Sequence, residues 1–117
     1  MRLFITGSES FVGRELLAQC AAAGVDCTGI DSAPISRSGF EQLDLRSQLV
    51  EQALPDEVDA VVHLAAMSRD ADCVDHLYET FDVNVMGTLN LMRAARARRA
   101  RQFIFARSEE HTSELQS

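Results

Sequence analysis

The residues with the clearest chemical potential are small residues that follow a short, largely apolar run at the N-terminus. Gly7, Ser10 and Gly13 lie in the segment TGSESFVG, residues 6–13, directly after the run 2–6. Glycines at these positions allow a strand to turn tightly into a helix, whose unpaired N–H groups attract a phosphate. Asp31 comes 24 residues after Gly7, where a carboxylate can accept hydrogen bonds from ribose hydroxyls. This spacing predicts a dinucleotide site.

Ser10 stands where the usual dinucleotide-binding pattern has its middle glycine. That glycine lets the backbone approach the pyrophosphate closely. A serine side chain leaves less room for the pyrophosphate to approach the backbone, but its hydroxyl can donate a hydrogen bond to a phosphate oxygen. The alternative interpretation of the same residues is a plain strand-to-helix turn that binds no ligand.

The elements that must position these residues alternate between strands and helices. Gly24 is predicted to end the first helix, and Pro55 the second. Alternating β and α units predict a parallel sheet with right-handed crossovers. The predicted strands are 2–6, 25–30, 41–43, 60–64 and 102–106, and the predicted helices are 11–23, 46–54 and 74–98.

Apolar positions on two helices predict which faces are buried. On the first helix, Val12, Leu16, Cys20 and Ala23 share one side. On the long helix, apolar residues recur at steps of three and four, and the set is Val74, Leu77, Tyr78, Phe81, Val85, Leu89 and Met92.

Composition excludes several classes of protein. The chain has 117 residues, of which 46% are hydrophobic and 25% charged, which is typical of one globular domain. No apolar run reaches the length of a membrane span or a signal peptide, so we expect no membrane partner and a cytoplasmic location. The net charge of -7 argues against nucleic acid. Three cysteines without CxxC spacing indicate reduced thiols and no metal site.

The glycine segment TGSESFVG resembles that of the extended short-chain dehydrogenase/reductases, and specifically the NAD-dependent epimerase/dehydratase family. Four further segments agree in order and spacing: DLR at 44–46, VVHLAA at 61–66, NVMGTLNL at 84–91 and FIF at 103–105. The resemblance covers residues 1–106. It implies an α/β, Rossmann-like, doubly wound parallel sheet that is truncated after about five strands.

The resemblance implies a cofactor role for named residues, with NAD preferred over NADP because Asp31 would repel a 2′-phosphate. Asp44 could instead cap the helix that follows it. His63 is interpreted as a core histidine, and Asn84 as a residue that orients active-site groups or water. The cofactor residues are Gly7, Ser10, Phe11 and Gly13 at the pyrophosphate, Asp31 at the ribose, Asp44 and Leu45 at the adenine, and Ala65 and Ala66 along the cofactor.

The family's acid/base pair, a tyrosine and a lysine spaced as YxxxK, is missing. Tyr78 is the single tyrosine, it lies in the wrong helix, and the chain has no lysine. We therefore expect the N-terminal, inactive part of a longer enzyme. Residues 107–117 resemble an in-frame translation of a widely used sequencing adapter and are predicted to be a processing tail. Ser108 is accordingly not interpreted as catalytic.

The predicted function is the cofactor-binding part of an NAD-dependent epimerase/dehydratase that acts on a nucleotide sugar through a keto intermediate. Three alternatives stay open: an NAD(P)-dependent reductase of a non-sugar carbonyl, a non-catalytic NAD-sensing module, and a sequencing artefact without a function. A homodimer of the full-length protein also stays open.

Overall fold

One parallel sheet organises the chain. The computed structural model describes residues 1–65 and 77–106. The strands in this part are β1 Arg2–Thr6, β2 Asp26–Asp31, β3 Phe40–Gln42, β4 Ala60–His63 and β5 Gln102–Phe105. They pair in parallel in the order β3-β2-β1-β4-β5. The reversal of order beside β1 is that of a doubly wound fold, so the predicted fold class is confirmed.

The helices described are α1 Phe11–Ala23, α2 Val50–Ala53, α3 Leu77–Phe81 and α4 Thr88–Ala97, and the π-helical segment Asp82–Gly87 joins the last two. The predicted bounds of β1 and α1 are confirmed. Gly24 ends α1 in the left-handed conformation, with φ 72°, as a glycine after a helix commonly does. Residues 107–117 lie outside the described residues, so the processing tail stays a prediction.

The helix predicted at 46–54 is wrong in its start, because α2 begins only at Val50. The Ser47 N–H donates to the Asp44 carbonyl at 2.9 Å, and the Leu49 N–H donates to the Ser47 hydroxyl at 3.1 Å. Such local bonds compete with helical ones. The segment is therefore a pair of turns that ends in one short helix.

The core lies between the sheet and the helices α2 and α4. Leu91 and Ala94 of α4 and Val50 of α2 are fully buried against apolar side chains of the strands, including Phe4 and Val61. Burial of this surface anchors the sheet, whose strand ends carry the candidate site.

The buried face predicted for the long helix is wrong. Its large apolar residues are 38% to 90% exposed, and they are Leu77, Tyr78, Phe81, Val85, Leu89 and Met92; Val74 lies outside the described residues. Gly87, Leu91, Ala94 and Ala95 are buried instead. Small residues allow the helix to approach closely, and the Cβ of any residue replacing Gly87 would lie 2.8 Å from a Leu45 methyl carbon.

The face predicted for α1 is also wrong in part. Gly13 and Cys20 are buried in α1, whereas Val12 is 58% exposed. Cys20 and Cys27 are free thiols in the structure, and Cys73 lies outside the described residues. Among the residues described, none of the helices has the length and apolarity to cross a membrane.

The arginine-rich end of α4 contacts acidic and carbonyl groups near α2. Arg93 pairs with Glu51 at 2.8 Å, and Arg99 pairs with Asp56 at 2.8 Å. The Arg98 Nε–H donates to the Glu51 carbonyl at 2.9 Å. These contacts give three arginines of the cluster a structural role in the protein itself.

Candidate functional site

A cleft of about 370 Å³ lies at the carboxyl ends of the central strands. In doubly wound sheets this edge is where ligands bind. Six predicted site residues line it, namely Gly7, Ser10, Asp31, Asp44, Leu45 and Ala65. Its other lining residues are Ile30, Ser32, Leu43, Arg46, Leu64, Glu79 and Val83.

Gly7 makes the turn from β1 that forms the floor of the cleft. Its φ is 78°, which is the left-handed region that favours glycine. Its N–H donates to the Ile30 carbonyl at 3.0 Å. A Cβ at this position would lie 2.9 Å from the Ala65 nitrogen and from the Leu64 carbonyl carbon. The turn is thus packed directly on the end of β4.

Gly13 lets α1 begin against this turn. A Cβ on Gly13 would lie 2.2 Å from the Gly7 carbonyl oxygen and 2.9 Å from the Ser8 carbonyl carbon. Both neighbours are backbone atoms and cannot rotate away. The close approach packs the first turn of α1 directly on the glycine turn.

Ser10 is the N-cap of α1. Its hydroxyl donates to the Gly7 carbonyl at 2.7 Å and accepts the Gly13 N–H at 3.0 Å. A serine hydroxyl has one proton to donate, and Gly7 takes it. The predicted bond from Ser10 to a phosphate oxygen is therefore replaced by a capping role. The φ of -72° shows that the backbone conformation does not require a glycine here.

The first N–H groups of α1 are available to an anion. Within residues 1–65 and 77–106, the N–H groups of Phe11 and Val12 have no hydrogen-bond acceptor. Free N–H groups and the helix dipole together favour negative charge at a helix start. The Phe11 side chain is 88% exposed, and Phe11 does not line the cleft, so what it can offer an anion at the start of α1 is its backbone N–H.

Asp31 ends β2 and holds the glycine turn. Its Oδ2 accepts the Glu9 N–H at 2.8 Å, and its Oδ1 accepts the Ala33 N–H at 2.8 Å. An ionised carboxylate has about four acceptor positions, so each oxygen retains one for a ligand hydroxyl. Glu9 itself pairs with Arg37, with 3.0 Å between Oε2 and Nε.

Asp44, which also lines the cleft, is bound by Arg46. The Arg46 guanidinium donates to Asp44 through Nε at 2.9 Å and Nη2 at 2.7 Å, and to Asp82 through Nη1 at 2.7 Å. The hydrogen bond from Arg46 lowers the pKa of the Asp44 carboxyl to about 2. Asp44 also accepts the Arg46 N–H at 2.8 Å, but α2 begins at Val50, so Asp44 caps a turn rather than that helix.

Asn90 positions the segment that carries Asp44 and Leu45, a role not predicted from the sequence. Its Nδ2 donates to the Leu45 carbonyl at 3.0 Å and to the Ser47 carbonyl at 2.9 Å. Gly87 lies one helical turn earlier and packs against the Leu45 side chain. The signal in the sequence is a small and an amide residue spaced three apart on one helix face.

His63 is a core histidine, as predicted, since it is 1% exposed. The Thr6 hydroxyl accepts the N–H groups of Leu64 and Ala65 at 3.1 and 3.2 Å, and therefore donates its proton to His63 Nδ1 at 2.7 Å. His63 Nε2 then carries the ring proton and donates it to Thr88 Oγ1 at 2.8 Å. Burial lowers the pKa of His63 to about 4.

Comparison with known proteins identifies the family. The model of the NAD dependent epimerase/dehydratase family matches residues 3–117, nearly the whole chain. The chain belongs to the NAD dependent epimerase/dehydratase family. The resemblance based on TGSESFVG is thus confirmed.

Relatives of this family member include enzymes of different reaction types. GDP-6-deoxy-D-mannose reductase of Pseudomonas aeruginosa is 34% identical over 97 residues, or 83% of this chain and 30% of that protein. The crystal structure of the UDP-glucose 4-epimerase of Thermus thermophilus in complex with NAD is 28% identical, with a TM-score of 0.81 over 92% of this chain and 38% of that one.

A short-chain dehydrogenase/reductase superfamily protein from Agrobacterium tumefaciens with bound NAD is 35% identical, with a TM-score of 0.76. The match covers 94% of this chain and 33% of that one. The chain therefore spans 30% to 38% of the length of these three relatives.

Among the predicted site residues that the structure describes in this epimerase/dehydratase family member, Phe11, Gly13 and Asn84 do not line the cleft. Ala66 lies outside the described residues. Asn84 lies in the π-helical segment, beside Val83, which lines the cleft. Insertions of π-helix are frequent at functional sites. Nothing in the apolar spacing of residues 74–98 indicated this segment.

Proposed function

We propose that the cleft holds the adenosine and pyrophosphate part of NAD, and that the chain is the cofactor-binding part of a nucleotide-sugar epimerase or dehydratase. The observation that carries the proposal is that Gly7, Asp31 and Asp44, which are far apart in sequence, line one cleft. The bound NAD of two relatives at 28% and 35% identity supports it.

The residues present fit the cofactor. The free N–H groups of Phe11 and Val12 would hold the pyrophosphate. The remaining acceptor positions of Asp31 would take the ribose hydroxyls. Leu45, which is buried and lines the cleft, would contact the adenine, and Asp44 would lie at its edge. When bound, NAD supplies a hydride acceptor for a sugar carbon.

A reductase that uses the same cofactor half is the second candidate. The relative named GDP-6-deoxy-D-mannose reductase, at 34% identity, favours this alternative, with a nucleotide sugar as substrate. The cofactor half would serve either reaction, because both move a hydride between the nicotinamide and carbon.

We expect the chain to bind NAD more tightly than NADP, and Asp31→Ala to weaken NAD binding by about tenfold, the equivalent of one charge-assisted hydrogen bond. The Asp31→Ala variant should also reduce the difference in binding affinity between NAD and NADP. Titration calorimetry with both dinucleotides measures this. Asp26→Ala, at the opposite end of β2, is the matched control and should bind as the wild type does. Equal NAD affinity in Asp31→Ala would contradict the proposal.

The chain of 117 residues is expected to turn over no nucleotide sugar. The resemblance to the family implies that acid/base catalysis requires a tyrosine whose pKa is lowered by a nearby lysine. The chain has no lysine. The test incubates the purified chain with NAD and UDP-glucose and follows NADH absorbance and product formation. Activity above the rate of a boiled sample would show that other residues perform this step.

A further inference from the structure

We infer that Glu9 and Arg37 together set the preference for NAD, because the Glu9 carboxylate holds the Arg37 guanidinium away from the 2′ position of the adenosine ribose. This inference rests on the cofactor site proposed above. It makes Arg37 a latent phosphate-binding residue that Glu9 keeps occupied.

Glu9 is connected to the ribose acid through its main chain. It is the third residue after Thr6 in the glycine turn, and its N–H donates to Asp31 Oδ2 at 2.8 Å. Its side chain is only 13% exposed, and its Oε2 accepts the hydroxyl proton of the fully buried Ser8 at 3.1 Å. The main chain of Glu9 is therefore bonded to the ribose acid, and its carboxylate is held by Ser8.

Arg37 makes a two-point contact with this carboxylate. Its Nε lies 3.0 Å from Glu9 Oε2, and its Nη2 lies 3.4 Å from Oε1. The hydrogen bond from Arg37 lowers the pKa of the Glu9 carboxyl, which therefore stays ionised at neutral pH. The Arg37 carbonyl accepts the N–H of Phe40 at 3.3 Å, which anchors the loop to the start of β3.

The charges at this edge favour a ribose without a phosphate. Asp31 and Glu9 supply two negative charges, and Arg37 neutralises one of them. A 2′-phosphate brings a further charge of about -1.5 to -2 at neutral pH, so the remaining carboxylate repels it. An unoccupied guanidinium, by contrast, binds phosphate in a bidentate geometry. Removal of the Glu9 charge both reduces the repulsion and releases this phosphate ligand.

The test measures the dissociation constants of NAD and NADP by calorimetry for the 117-residue chain and its variants. Glu9→Gln is expected to tighten NADP binding about tenfold and to change NAD binding by less than threefold. The double variant Glu9→Gln/Arg37→Gln should lose the gain. Glu15→Gln is the matched control, because it removes the same charge from the exposed side of α1, where Glu15 pairs with Gln19, and it should leave both constants unchanged.

Arg37→Gln tests the same pair from the exposed loop, without a change in the glycine turn. It should weaken NADP about threefold further and leave NAD within twofold. A wild-type ratio of NADP to NAD affinity in Glu9→Gln, or a gain that persists in the double variant, would overturn the inference while NAD binding by the wild type upholds the proposed site. Binding of neither dinucleotide by the folded wild type would overturn both.

Discussion

Gly13→Ala is expected to lower the free energy of unfolding by about 3 kcal/mol, at the upper end of the range for overpacking a tight contact. The new Cβ would lie 2.2 Å from the Gly7 carbonyl oxygen, so α1 would have to move off the turn. That movement would separate the free N–H groups of Phe11 and Val12 from the cleft. We therefore expect NAD binding to be lost together with stability.

Urea unfolding followed by circular dichroism measures the stability change, and calorimetry measures the NAD affinity of the variant. Gly24→Ala is the control at the other end of α1, where φ is 72° but nothing lies within 4 Å of an added Cβ. It should cost only the left-handed backbone penalty of about 1 kcal/mol and leave the affinity for NAD unchanged. A Gly13→Ala variant as stable as Gly24→Ala would contradict this prediction, because it would show that the backbone of the glycine turn can move to accommodate the added Cβ.

The sequence carried local signals strong enough to predict β1 and α1. Residues 2–6 form a strand because a largely apolar run is followed at once by a glycine that turns the chain. Helix α1 lies between a capping Ser10 and a terminating Gly24, both of which act within a few residues. For these two elements nearby contacts and apolar patterning point to the same structure, and the prediction succeeded.

The buried face of the long helix depended on contacts that apolar spacing does not describe. The spacing identified the large residues such as Phe81 and Leu89, yet both are exposed. The helix lies close to the sheet through Ala94 and Ala95, which contribute little to an apolar pattern. The π-helical segment also changes the angular spacing between residues before and after it.

The candidate site also contains residues that could be predicted from the sequence and contacts that could not. Gly7 and Asp31 were predictable, because each acts at the end of its own strand. The pairing of Arg46 with Asp82 spans 36 residues, and that of Glu9 with Arg37 spans 28. Such pairs form only once the sheet has placed their elements side by side, so one sequence could not reveal them.

The contribution of His63 to the stability of the chain should fall by about 3 kcal/mol as the pH falls from 6.5 to 4, because each unit of pKa shift corresponds to about 1.4 kcal/mol. His63 has a pKa of about 4 in the fold, below the ordinary value of 6.5. The unfolded chain therefore binds the proton first. Above pH 6.5 the full contribution is present, and acid removes it as the pH approaches the folded pKa.

His63→Gln isolates this contribution from the other histidines, His76 and His111, whose ordinary pKa lies in the same range. Glutamine retains one donor and one acceptor for Thr6 and Thr88 but does not titrate. The urea midpoint of the His63→Gln variant should change much less than that of the wild type between pH 6.5 and 5. This pH range lies above the ordinary pKa values of the Glu9 and Asp44 carboxyls. Parallel pH curves for the two proteins would contradict the prediction, because they would show that His63 binds its proton equally well in the folded and the unfolded chain.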